Sequence, residues 1–375
     1  MTPDTATPSL PPTPPSRRAE FRFDGDAREY FRIWIVNLFL SVVTLGIYSA
    51  WAKVRKKRYF AGNTWVAGAN FDYHGNPVSI LKGRAIAVAT FIVYSVVDNF
   101  FPKVGYALLL ALVFAAPWLV VRTLQFNAAN TSHRNVRFHF HGRYPEALAA
   151  IAPLIVWPLI GIAVGWNMSS LPASGTEFFI LSMPFIAFAA VYPRVVGALK
   201  LFHVRHAAFG EARFALDLPM GDFYRIYIAA AVGAFGLLIV GMVPIALMAS
   251  LSPLPGLMVA WQAVYLGVAA VFLAYTRSHV ANLVFNQARM QGGVRFVSTL
   301  TTSRLAKIYF GNLLAIAVSF GLLVPWAVIR TARYRASCLA LESDGEMDGV
   351  LAGVSENVGA AGDEMGELFD VDVSL

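Results

Sequence analysis

The sequence predicts an all-α polytopic membrane protein with internal repeats, its helix pairs joined by short cytoplasmic β-hairpins. Three observations predict this. The 375 residues are 57% hydrophobic and only 14% charged, against about 25% charged in a typical soluble domain. Lysine and arginine crowd into alternate joints between apolar runs. An aromatic-x-aromatic-x-Gly segment recurs along the chain.

A mean hydropathy of +0.58 over the whole length puts most of the chain in lipid rather than around one buried core. The net charge of +8 then reads as basic loops facing an anionic leaflet, not as a nucleic-acid surface. The single cysteine, Cys338, excludes an intramolecular disulfide and argues against a Cys-based metal site.

Residues 1–20 read as a disordered Pro-rich tail without the apolar run of a signal peptide. A repeat-built transmembrane domain is expected over 21–341, and an acidic Gly-rich tail over 342–375. Apolar runs fall at Ile33–Ala52, Ala85–Val97, Val104–Val121, Ala147–Trp166, Phe178–Leu199, Ile226–Leu251, Leu257–Tyr275 and Ile308–Ile329. Most reach the roughly 20 residues that span a bilayer. The joints Asp98–Lys103, Asn167–Glu177 and Ser252–Gly256 are short and hold one cation, Lys103. The joints Lys53–Arg84, Arg122–Arg143, Arg194–Arg225 and Arg277–Lys307 hold 7, 4, 5 and 5. Because Lys and Arg are retained in the cytoplasm, the long joints and both termini are expected there, in a bacterial inner membrane.

The repeat begins near residues 21, 71, 138, 214 and 296. Phe21-x-Phe23-x-Gly25, Phe71-x-Tyr73-x-Gly75 and Phe138-x-Phe140-x-Gly142 are full copies; Arg213-Phe214-Ala215-Leu216 and Arg295-Phe296-Val297 are weaker ones. Alternating aromatic and polar residues after a Gly- or Asn-containing turn predict one strand of a hairpin. Such hairpins are marginal alone, so they should pack together, with Arg137, His139 and His141 facing out. Trp51-x3-Arg55, Trp118-x3-Arg122 and Trp326-x3-Arg330 close three units. Each pair lies on one helical face and suits an interface anchor. The first and last units match each other, Asn37 with Asn312 and Gly46 with Gly321. Both ends of each are basic, so these two are expected to re-enter, bent at the glycine, in arms reaching about 15 Å.

The segments Phe21–Gly25, Gly46–Arg55 (GIYSAWAKVR) and Glu367-Leu368-Phe369-Asp370-Val371-Asp372 together resemble the YjgN-like family, a domain-of-unknown-function (DUF) group of bacterial multi-pass inner-membrane proteins. The resemblance runs from about Phe21 to the C-terminus. It implies inner-membrane location and a shared fold, and it implies no reaction, substrate or site. The fourth copy departs from the pattern at Leu216, Asp217 and Leu218.

Chemistry-bearing residues are sparse. His139 and His141 share a strand face, with His74 or His133 as a third metal ligand, but an exposed polar face accounts for them as well. His203 and His206 stand three apart at a helix end and suit headgroup contacts. Asp370 and Asp372 belong to a tail with ten acidic residues between Glu342 and Asp372 and no basic one, suited to docking on the basic remainder. No phosphate loop, HExxH or GxSxG motif is present, Ser169 and Ser170 lack a histidine on their side, and Asp98 and Glu177 are too few to claim as a pair. No catalytic residue, cofactor or metal is expected, and an enzyme is the weakest class. The expected partners are the bilayer, anionic phospholipids at its cytoplasmic face and a possible second copy of the chain, not nucleic acid. The best functional expectation is transporter- or channel-like passage of a small solute along a path near Asn37 and Asn312, which serve equally as helix contacts. The alternative is a membrane scaffold presenting hairpins and the acidic tail.

Overall fold

The computed structural model describes residues 17–154, 175–251 and 256–343. Five units follow one another, each entering on a strand, running through two helices and leaving on a strand. In chain order they are β1 (Arg17–Glu20), β2 (Arg22–Phe23), α1 (Ala27–Val43), α2 (Ser49–Gly62) and β3 (Thr64–Val66); β4 (Ala69–Tyr73), α3 (Pro77–Phe100), α4 (Pro102–Ala129) and β5 (Thr131–His133). Next come β6 (Val136–Phe140), α5 (described over 144–154), α6 (Gly175–Arg205) and β7 (Ala207–Phe209). They are followed by β8 (Ala212–Ala215), α7 (Met220–Leu251), α8 (Gly256–Gln287) and β9 (Arg289–Met290), then β10 (Val294–Ser298), α9 (Thr302–Val318), α10 (Val324–Ser337) and β11 (Leu339–Ser343).

The all-α expectation is corrected here. The hairpins join edge to edge into one eleven-stranded sheet. It closes because β1 and β2 are one strand interrupted at Phe21: the first half pairs with β11 and the second with β3. Two-residue turns connect three of the hairpins and Gln291–Gly293 the fourth; Ala67–Gly68 and Arg134–Asn135 are both at positive φ, as the twist of paired strands requires. Closure removes the sheet edges that isolated hairpins would expose. It also takes in Arg17–Glu20 and Glu342–Ser343, which the sequence assigns to the tails.

The repeated glycine has a steric reason. A Cβ on Gly25, Gly75 or Gly142 would stand 2.5, 2.5 or 2.6 Å from the ring of Phe23, Tyr73 or Phe140, two residues earlier. The ring folds back over its own glycine. Where the second aromatic is replaced, by Leu216 or Ser298, the glycine position holds a buried leucine, Leu218 or Leu300.

Helices α3, α4, α6, α7 and α8 are long and apolar enough to cross a membrane. Most of the Ala147–Trp166 run, Ser169, Ser170, residues 252–255, and Asp370 and Asp372 lie outside the described residues. The first and last units are short helical hairpins that return to the barrel. Each turns through a helix-terminating motif with Leu45 or Phe320 in the left-handed region and Gly46 or Gly321 at φ +90°. Every amide of the turn is paired: Gly46 N–H donates to Ser41 C=O at 2.7 Å, and Gly321 N–H to Ile316 C=O at 2.9 Å. Thr44 Oγ1 and Ser319 Oγ accept the amides of Tyr48 and Leu323.

Candidate functional site

The barrel interior is filled by side chains rather than open. At mid-height the inward residues run Phe21 and Val66, Phe71 and His133, Phe138 and Phe209, Phe214 and Met290, Phe296 and Leu341. Five of these ten are the first aromatic of each repeat. Phe21, Phe71 and Phe138 stand 6.4 Å apart in sequence round the ring, and Phe138 meets Phe209 at 4.9 Å.

His133 is the one ionisable member of this plug. Its Nδ1 lies 3.2 Å from the Asn70 carbonyl, while its buried Nε2 has no partner. Nδ1 therefore carries the proton. Burial pushes the His133 pKa down, the Asn70 carbonyl pulling it partly back.

Above the plug, on the helix side, lies a chamber of about 460 Å³. Phe21 and Phe71 form its floor, Thr64, Thr131, Ser298 and Leu339 its wall, and Phe60, Phe285 and Arg335 its mouth. The wall hydroxyls are occupied: Thr64 donates to Phe60 C=O, Thr131 to Asn127 C=O, and Ser298 to Asn282 Oδ1. The surface offered to a ligand is thus apolar with one cation at the rim. Phe60, Asn127, His203, Phe285 and Arg335 each stand two residues before the end of the second helix of their unit. Sequence reasoning missed this ring, because its members share no residue type and the register emerges only once the helix ends are known.

The expected site residues fall elsewhere. Asn37 and Asn312 are buried, 7% and 8% exposed. Asn312 Nδ2 donates to Ala327 C=O at 3.1 Å and to Thr331 Oγ1 at 2.9 Å, both on α10 of its own hairpin. Oδ1 of each asparagine is buried without a partner among the described residues. Neither residue lines the chamber. Of the anchors, Arg122 lies over Trp118 at 5.7 Å and Arg330 over Trp326 at 5.1 Å. Arg55 instead covers Tyr48, which stacks on Trp51. His139 and His141 stack 6.3 Å apart on the outer face. Burial first, then the charges of His141 and Arg137, push the His139 pKa down. His133 faces the opposite side of the sheet, and His74 Nε2 is bonded to Ser132 Oγ at 2.8 Å, so no third ligand joins the pair among the described residues.

Residues 18–368 match the family described as "Bacterial protein of unknown function (DUF898)", and the chain belongs to that family. It is similar to the inner membrane protein YjgN of Escherichia coli strain K12, 30% identical over 212 residues, 53% of this chain and 52% of that one. The match thus spans about half the length of that relative. It is also similar to the inner membrane protein YjgN of Salmonella typhimurium strain LT2, 23% identical over 350 residues, 86% of this chain and 88% of that one. No solved structure matches at a significant level.

Proposed function

We propose that this inner-membrane protein passes a small solute, with the axial chamber as its holding compartment and the barrel plug as its closed gate. The observation that carries the reading is the cup-shaped chamber above the ten-residue plug, open toward the helices. Two neighbouring units of the ring are also short. On α4, Lys103 and Arg122 stand nineteen residues apart, about 28 Å along a helix, close to a hydrocarbon core of roughly 30 Å. From Arg55 to Gly46 is nine residues, about 14 Å, or half that depth. The short hairpins α1–α2 and α9–α10 would then end near mid-membrane, leaving the ring low on one side for solute entry. Their tips suit that depth: Leu45 and Phe320 are 94% and 96% exposed, and the turn amides are all paired internally. The basic joints favour a cytoplasmic barrel with both termini on that side.

Flux from vesicles tests this. Wild type should pass a restricted set of small solutes, and Phe138→Ala with Phe209→Ala should raise leakage of solutes of that size. Asn37→Leu and Asn312→Leu, acting between helices, should lower thermal stability before they lower flux. Wild-type vesicles without flux for any solute class, together with tight plug variants, would remove the passage. The scaffold reading would then take over. It is favoured by the exposed arginines Arg213, Arg289 and Arg295 on the barrel's outer face.

A further inference from the structure

We infer that the axial chamber binds a single-chain amphipathic anion, its acyl chain in the phenylalanine-floored cup and its acidic head on Arg335. The inference rests on the chamber being a solute compartment, as proposed above, and adds the class of solute. The cup offers aromatic and aliphatic carbon with its hydroxyls already spent, so a polar solute would lose hydration there without replacement. Its volume of about 460 Å³ falls in the usual range of small-molecule sites, about 300–1,000 Å³.

The mouth supplies the second half of the argument. Arg335 lines it, the one charged side chain among the chamber's described lining residues. Among the described residues no carboxylate makes an ion pair with Arg335. A guanidinium offers paired donors matched to carboxylate or phosphate. An apolar cup under an arginine that pairs with no carboxylate among the described residues thus selects one acidic group on an apolar chain, whether a free fatty acid or a lysophospholipid.

The test uses the full chain in phosphatidylcholine nanodiscs with a photoreactive dodecanoate. Wild type should be labelled at the ends of α2 and α10 around Phe60 and Ala332. Arg335→Gln should cut labelling at least tenfold, while a photoreactive dodecanol should label both proteins alike. Ala332→Phe, which fills the cup and keeps the charge, should also abolish labelling. Unlabelled dodecanoate or lysophosphatidylglycerol should compete, the stronger competitor naming the source. Labelling unchanged in Arg335→Gln, competition by neither lipid, or equal competition by inorganic phosphate would overturn the inference. If a variant fails to fold, equal labelling of wild type by the acid and the alcohol, with alcohol labelling displaced by dodecanoate no better than by dodecanol, overturns it instead. Labelling without flux keeps the site and removes the passage; flux with labelling unchanged in Arg335→Gln keeps the passage and removes the site.

Discussion

The short hairpins of the first and last units and the long hairpins of the middle three solve one problem differently. Each must hold two helices together on the same barrel. In the short units the residue three before the end of the second helix is a tyrosine, and in the long units it is Phe126, Phe202 or Val284; all five are buried. The tyrosine hydroxyl accepts the amide that starts its partner helix, Asp26 N–H at 2.9 Å to Tyr59 and Thr301 N–H at 3.0 Å to Tyr334. One residue earlier stands Arg58 or Arg333, against Gln125, Leu201 and Leu283. Each arginine reaches the next unit: Arg58 Nε to Tyr73 C=O at 3.2 Å, and Arg333 Nη2 to Gly25 C=O at 2.9 Å. The second of these closes the ring across the whole chain. The long units also bond to the next unit, Arg205 Nε to Leu216 C=O at 2.8 Å and Asn282 Nδ2 to Leu300 C=O at 2.9 Å, but from other helix positions and without a tyrosine on the partner helix's first amide.

The largest effect that bears on this comparison is at the hairpin tip. Leu45→Arg should cost about 2.5–3.5 kcal/mol of insertion free energy, the value for an arginine at a helix centre in the bilayer. The yield of folded protein in membranes should fall accordingly, as it should for Val232→Arg in the long helix α7. Wild-type yield for Leu45→Arg would place the tip in water or headgroups and break the distinction between short and half-inserted. The next effect is the ring clamp. Arg333→Gln should lose a charge-assisted bond, about 1.5–3 kcal/mol, read as a lower melting temperature in neutral detergent. Gln125→Ala at the matching place in a long unit should stay within about 0.5 kcal/mol. Tyr334→Phe should cost about 1 kcal/mol by the same readout, and a cost near zero would make the hydroxyl incidental.

Much of this was legible in the sequence. Apolar runs and the charge split give the membrane class, and the match of Asn37–Tyr59 with Asn312–Tyr334 gives the paired short units, bent at Gly46 and Gly321. The hairpins are legible because their turns are local. The barrel is not, because its closing pairs, such as Phe71 with His133 and Arg17 with Ser343, join strands far apart in sequence. Arg17–Glu20 and Leu339–Ser343 carry no aromatic repeat at all. Asn37 and Asn312 were legible as polar groups inside apolar runs, but the sequence could not show that both are buried away from the chamber, Asn312 bonded to α10 of its own hairpin. The chamber escaped because its mouth uses Phe60, Phe285 and Arg335, which only helix ends bring into register.

The smallest effect separates the barrel sectors under the two kinds of unit. His133 sits between the second and third units, whereas the β10–β11–β1 sector that joins the last unit to the first has Phe296, Leu341 and Ala19 facing inward. Burial lowers the His133 pKa in the folded barrel below its ordinary value of 6.5. The folded state therefore binds fewer protons than the unfolded one as pH drops below about 6.5. Stability from neutral His133 is complete above that pH and lost on acidification through the lowered pKa. His139, on the outer face, is shifted the same way. Amide exchange should accordingly speed up in β4, β5 and β6 between pH 7 and pH 5, after correction for intrinsic rates, while β10 and β11 stay protected. His133→Phe should remove most of this dependence, since a phenyl ring extends the plug that Phe71 and Phe138 already form. Equal acid sensitivity in both sectors, or a His133→Phe protein as acid-sensitive as wild type, would show that the barrel opens as one body without regard to the units above it.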